Sequence, residues 1–140
     1  MNTFDTSVVI AACASWHEWH GVARRAVEAG GVLVGHVALE AYSVLTRLPV
    51  PHRIPADIAR EYLVRTFPKP PLVLDAAAML RIVPELENAG IAGGAVYDGL
   101  IAITARTFDA TLVTLDDRAL PTYRKCGASV RRLDVRSAAT

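Results

Sequence analysis

The stretch Gly93-Gly94-Ala95-Val96-Tyr97-Asp98-Gly99-Leu100-Ile101-Ala102-Ile103-Thr104-Ala105 is apolar on almost every side when it is drawn as a helix. A helix that is hydrophobic all round is normally buried. Asp98 nevertheless falls in its first turn, on the same side as the small residues Ala102 and Ala105. Because a buried carboxylate is costly unless it is paired or binds a metal, the sequence predicts a compensating partner for Asp98.

The composition is typical of one folded domain. Of the 140 residues, 52% are hydrophobic and 21% are charged, which excludes a disordered chain. The mean hydropathy of +0.29 favours self-association or a tightly bound partner. No apolar run approaches the roughly 18 residues of a membrane span, and the residues before Asp5 lack the positive charge of a signal peptide. We therefore predict a cytoplasmic, single-domain protein over residues 1–140, with no membrane segment and a frayed tail at 136–140.

Strand-like and helix-like segments alternate along the chain. Short runs predict five strands, at 2–5, 32–34, 72–74, 111–114 and 129–133. Periodic segments predict helices after Thr6 and at 17–28, 37–48, 56–66, 75–88, 95–105 and 118–125, with a kink or a split at Pro84. This alternation favours a three-layer α/β/α fold with a central parallel sheet of about five strands. Such folds bind ligands at the carboxyl ends of the strands.

Four acidic residues are expected at that edge of the sheet. Asp5 ends the first strand, and Asp116 follows the strand at 111–114. Glu40 lies early in the helix after the second strand, and Asp98 begins its own helix. Carboxylates that lie together repel one another, so such a cluster implies a cation. Oxygen ligands without grouped histidine or cysteine favour Mg²⁺ or Mn²⁺ over zinc.

Each acid also has an explanation that involves no ligand. Asp5 could cap the following helix, and Glu40 could be a solvated residue near Arg47. Asp98 could interact only with its helix dipole, and Asp116-Asp117 could form a simple turn. Singly, these signals are weak. Their joint position at one edge of the sheet favours a shared site.

Four passages occur in a recognisable order, and they are Asp5-Thr6-Ser7-Val8-Val9, Glu40, Tyr97-Asp98-Gly99-Leu100-Ile101-Ala102 and Leu112-Val113-Thr114-Leu115-Asp116. A chain with these passages at these intervals resembles a PIN-domain ribonuclease, specifically the VapC-type toxin of type II toxin–antitoxin pairs. The resemblance covers nearly the whole chain. It implies an endoribonuclease that hydrolyses phosphodiester bonds of RNA, that forms a homodimer, and that is covered by a cognate antitoxin.

The resemblance also implies roles for individual residues. Its acidic quartet corresponds to Asp5, Glu40, Asp98 and Asp116, which are the candidate catalytic residues and ligands of Mg²⁺ or Mn²⁺, with Asp5 and Asp98 the firmest ligands. Thr6, Thr114 and Asp117 are expected to lie beside them. Asp117 becomes the fourth acid if the turn is shifted by one residue. Because an acidic pocket repels RNA, basic residues should hold the backbone at its rim, and Arg47 is the nearest candidate.

Two other functions remain open on the residues alone. The acid cluster of a non-catalytic PIN-like module would only dock a basic segment of a partner. An aspartyl-phosphate phosphatase would use Asp5, but it requires a second acid two residues later, where the chain has Ser7. Trp16 and Trp19 could stack on RNA bases, although helix packing or a dimer contact explains them as well. His17 fits the exposed face of the helix predicted at 17–28.

Overall fold

The protein is described here by a computed structural model of residues 1–136, in which three strands and seven helices are present. The strands are β1 (Asn2–Phe4), β2 (Thr111–Thr114) and β3 (Ser129–Arg132). The helices are α1 (Thr6–Cys13), α2 (His20–Glu28), α3 (Gly35–Thr46), α4 (Ala56–Thr66), α5 (Ala76–Asn88), α6 (Ala95–Thr107) and α7 (Leu120–Lys125). Apart from Arg136, the predicted frayed tail lies outside the described residues.

The three strands form one parallel sheet in the order β1-β2-β3. The segments predicted as two further strands contribute only single bridges within residues 1–136, from Thr3 to Val32 and from Val34 to Leu72. These bridges continue the sheet beyond β1, so five chain segments lie side by side, but only three are regular strands. Because α3 begins at Gly35, directly after Val34, the pairing has no room to extend.

The helices lie in two groups around the sheet. In one group α1 packs on α2 and α3, and α3 packs on α4; in the other, α6 packs on α5 and α7. Both α1 and α6 contact the central strand β2, in which Leu112 and Val113 are completely buried. The predicted α/β/α fold is confirmed. Within residues 1–136, every helix is too short or too polar to cross a lipid bilayer.

Two helices differ from the sequence prediction. α2 begins at His20 instead of His17, because the preceding residues form turns closed by hydrogen bonds from His17 N to Ala14 O and from His20 N to His17 O. α5 continues through Pro84 without a split. Proline removes the bond to the carbonyl of residue 80. Leu80 is 83% exposed, so this turn faces water, which offsets the loss.

The prediction that α6 is buried all round is wrong on one side. Residues 101–105 are buried against the core, whereas Tyr97 is 56% exposed and Val96 and Leu100 are partly exposed. These three side chains and α5 line an apolar groove of about 560 Å³.

Gly31 allows the segment 32–34 to approach β1. A Cβ atom built there would lie 2.5 Å from Phe4 Cε2 and 2.7 Å from the carbonyl oxygen of Asn2. Since β1 would have to move, we expect Gly31→Ala to lower the free energy of unfolding by about 1–3 kcal/mol, as measured in urea. Gly94→Ala is the matched control, because a Cβ there meets nothing within 4 Å. Equal stability of the two variants would contradict the prediction.

Candidate active site

Asp5 is held at the carboxyl end of β1 by four hydrogen bonds. It is the N-cap of α1 and is only 2% exposed. Its Oδ1 accepts hydrogen bonds from Ser7 Oγ at 2.5 Å and from Val8 N at 3.3 Å. Its Oδ2 accepts from the Tyr123 hydroxyl at 2.8 Å and from the Thr114 hydroxyl. These four donors occupy all the lone-pair positions of the carboxylate.

Burial and hydrogen bonding act on Asp5 in opposite directions. Desolvation has the larger effect and raises the pKa of Asp5 above its ordinary value, while the hydrogen bonds from Ser7, Thr114 and Tyr123 act to lower it. Burial and the adjacent charge of Asp5 raise the pKa of the Tyr123 phenol far above its ordinary value. Tyr123 therefore remains a donor at any pH at which the protein is studied.

The hydroxyl groups that bind Asp5 also fix the loop after β2. Thr114 Oγ1 accepts a hydrogen bond from Asp116 N at 2.9 Å, and Ser7 Oγ accepts one from Leu115 N at 3.0 Å. Asp116 Oδ1 in turn accepts from the backbone N–H of Arg118 at 2.9 Å. The position of Asp116 is thus tied to that of Asp5.

Glu40 is paired with a histidine one helical turn earlier. Its Oε2 lies 3.2 Å from Nε2 of His36 on α3. The His36 ring stacks on the Tyr97 ring of α6, with centroids 5.4 Å apart and an angle of 7° between the planes. His36 therefore connects the helix of Glu40 to the helix of Asp98.

The charges of the other three acids affect the pKa of Asp98. Burial raises the pKa of Asp98 to about 6, with further contributions from the charges of Glu40, Asp116 and Asp5, in that order, while His36 lowers it. Among residues 1–136, no three aspartate, glutamate, histidine or cysteine side chains are already arranged to hold a metal ion. The four carboxylates are therefore close enough to repel one another without forming a ready-made ligand group.

Other residues expected near the site have different surroundings. Asp117 is largely exposed and forms a two-point ion pair with Arg132, at 2.6 and 3.2 Å, which lowers its pKa. Asp116, not Asp117, is the acid coupled to Asp98. Thr6 Oγ1 is buried without a hydrogen-bond partner in the described part of the chain. Arg47 is exposed at the end of α3, where its Nε lies 3.4 Å from Ser43 Oγ.

Three contributors to the site were not identified from the sequence. His36 could have been identified from its spacing, because it lies four residues before Glu40 and residues four apart on a helix are neighbours. Ser7 had a weaker signal, two positions after Asp5. Tyr123 had none, since it is 118 residues from the carboxylate to which it donates.

Comparison with known proteins agrees with the geometry. The PIN domain family model matches residues 3–125, which include all four acids and every donor to Asp5. Ribonuclease VapC40 of Mycobacterium tuberculosis (strain ATCC 25618 / H37Rv) is 43% identical over 126 residues, 90% of this chain and 94% of that protein. Ribonuclease VapC27 of the same strain is 41% identical over 128 residues, 90% and 92% of the two chains. The chain therefore belongs to the PIN-domain family, and within that family to the group of the VapC ribonucleases.

Proposed function

We propose that this protein is a metal-dependent endoribonuclease and the toxin of a toxin–antitoxin pair. Its relatives VapC40 and VapC27 are named ribonucleases, and PIN-domain ribonucleases generally depend on divalent metal ions. The observation that carries the proposal is the electrostatic coupling of Asp98 to Glu40, Asp116 and Asp5 at the carboxyl edge of the sheet.

The donor atoms fit Mg²⁺ or Mn²⁺ in charge and in chemistry. All four side chains offer carboxylate oxygens, and their mutual repulsion is a cost that a divalent cation removes. Asp98, Glu40 and Asp116 are the more accessible ligands. Asp5 has both oxygens engaged by donors, so it binds a metal directly only if a hydroxyl such as that of Thr114 turns away.

A bound cation in such a site supplies an activated water and stabilises the charge that develops on the phosphodiester. The surrounding protein residues hold the acids in position. Thr114 and Ser7 keep Asp5 and the Asp116 loop in register, and His36 orients Glu40.

The test is cleavage of labelled single-stranded RNA by the purified protein. We expect cleavage with Mg²⁺ or Mn²⁺, loss of cleavage with a chelator, and recovery when excess metal is added back. RNA with metal alone is the control. If RNA is not cut and calorimetry detects no metal binding, while a partner protein still binds, the acid cluster is a docking site and the enzyme proposal fails.

We also propose that the protein forms a homodimer. The groove between α5 and α6 is bordered by exposed apolar side chains, which are Met79 (45% exposed), Val83 (70%) and Tyr97 (56%). Leu80 on the same helix is 83% exposed. An apolar surface of this kind is suited to a second copy of the chain. Light scattering that gives a monomer at micromolar concentration would contradict the dimer, and it would leave the nuclease proposal intact.

A further inference from the structure

A second feature adjoins the acids. A cleft of about 420 Å³ is lined by two of the acids, Glu40 and Asp116, and by the aromatic side chains of His17 and Trp19, together with Thr6 and Ser7. The cleft also has apolar walls, formed by residues 10, 44 and 115. The groove between α5 and α6 is a separate cavity, lined by other residues. Two of the four acids and an aromatic surface therefore share one cavity.

The aromatic surface is held in a fixed orientation. The backbone N–H of Trp19 donates a hydrogen bond to His17 Nδ1 at 3.1 Å, which sets the direction of the imidazole ring. The two rings lie 5.8 Å apart at an angle of 51°. The guanidinium group of Arg132 lies 6.0 Å from the centroid of the Trp19 ring, and Asp117 holds that guanidinium in place. His17 and Trp19 thus form a preorganised wall, which the helix predicted at 17–28 would not have produced.

The charges near the cleft restrict what can occupy it. The acids repel any anionic group that is not neutralised by a cation. A nucleotide chain places its phosphates at the metal-binding acids, while its bases are neutral, planar and able to stack on aromatic rings. The cleft offers such rings and apolar walls next to the acids. A base next to the scissile phosphate is neutral and planar, so the acids do not repel it and it can stack on the aromatic rings.

We propose that the cleft between Glu40 and Trp19 binds one base of single-stranded RNA beside the phosphodiester that is cleaved. His17 and Trp19 form the stacking wall, and Trp19 contributes more because its ring is larger. The inference rests on the proposed nuclease function and adds a binding subsite to it. Trp16 is not part of the subsite, because it does not line the cleft and its ring packs instead against His52, with centroids 4.1 Å apart and a tilt of 31°.

The kinetic experiment compares Trp19→Ala with the wild-type protein on a single-stranded RNA. We expect KM to rise about 10-fold or more, with kcat changed by less than about 2-fold, because the lost interaction is made with the substrate before the reaction. Trp19→Phe should recover most of the affinity, since it restores an aromatic face. Trp16→Phe is the matched control and should match the wild type in KM.

The binding experiment does not depend on cleavage. The chain has two tryptophans, so Trp16→Phe leaves Trp19 as the only indole reporter. In a Trp16→Phe, Asp98→Asn protein, we expect a short oligoribonucleotide to quench Trp19 fluorescence. An abasic oligonucleotide of the same length, which keeps the sugar-phosphate backbone and lacks all bases, should quench it much less. Equal quenching by the two probes would overturn the subsite.

The outcomes separate the subsite from the proposed function. If the wild type fails to cleave RNA, the nuclease proposal fails, and the fluorescence experiment still decides the subsite. If Trp19→Ala is folded by circular dichroism and retains the wild-type KM, the subsite is wrong. If that variant loses affinity for a partner protein but not for RNA, the cleft belongs to the partner. Should Trp19→Ala not fold, His17→Ala is measured in the same way.

Discussion

Asp98→Asn should abolish RNA cleavage and at the same time make the metal-free protein more stable. Burial and three neighbouring carboxylates raise the pKa of Asp98 to about 6 from an ordinary value of 3.8, so its charge destabilises the folded state at neutral pH. That difference corresponds to about 3 kcal/mol, and screening by solvent at a half-buried carboxyl reduces it to on the order of 1 kcal/mol. The neutral amide removes this cost and also removes a metal-binding oxygen.

The measurements are turnover of labelled RNA and thermal unfolding with and without metal. We expect activity to fall about a thousand-fold or more, and the stabilisation by Mg²⁺ or Mn²⁺ to shrink. The gain in metal-free stability should be complete above pH 6 and should vanish below about pH 4, where the carboxyl is protonated in both the folded and the unfolded state. A variant that loses both activity and stability would show that Asp98 has a structural role.

Tyr123→Phe should destabilise the protein and impair cleavage, although Tyr123 is 118 residues from Asp5 in the sequence. The phenol donates at 2.8 Å to Asp5, a carboxylate that is 2% exposed. A hydrogen bond to a charged group contributes about 1.5–3 kcal/mol, and its loss leaves a buried oxygen with one donor fewer. We expect a decrease of this size in the free energy of unfolding, together with a lower kcat because Asp5 is less firmly oriented.

Tyr62→Phe provides the matched control. Tyr62 is also substantially buried, but its hydroxyl donates at 3.0 Å to the neutral carbonyl oxygen of Val9. Its loss should cost about 0.5–1.5 kcal/mol and should leave kcat unchanged. The free energy of unfolding in urea and the rate of RNA turnover are measured for both variants. If both variants lose the same stability and keep full activity, Tyr123 has no particular role at Asp5.

The sequence predicts the elements that depend on local signals. The helix Ala56–Thr66 and the strand Thr111–Thr114 have the predicted bounds, because proline and aspartate mark their ends. The extent of the sheet was harder to predict. Residues 32–34 and 72–74 are apolar in the manner of strands, yet strand length depends on how far the neighbouring segment continues, and α3 begins too early. The error at α2 has a similar origin, since the turn around His17 is closed by backbone contacts that no side-chain pattern reveals.

The candidate site likewise contains residues that the sequence predicts and residues that it does not. The structure brings Asp5, Glu40, Asp98 and Asp116 within electrostatic range, and their positions relative to the strands were enough to anticipate this. The donors that hold Asp5 were not predictable, because Tyr123 becomes its neighbour only through packing of α7 against α6. The assignment of these residues to catalysis remains a prediction, for which Asp98→Asn and Tyr123→Phe are the tests.

The hydrogen bonds to Asp5 also have a consequence for synthesis of the protein. Asp5 is translated long before two of its donors, since Thr114 follows more than a hundred residues later and Tyr123 follows later still. Until α7 has emerged, Asp5 lacks the Tyr123 donor, although Ser7 and Thr114 are already available to anchor the loop that carries Asp116. We therefore expect a nascent chain without α7 to hold Asp5 less firmly than the complete fold does.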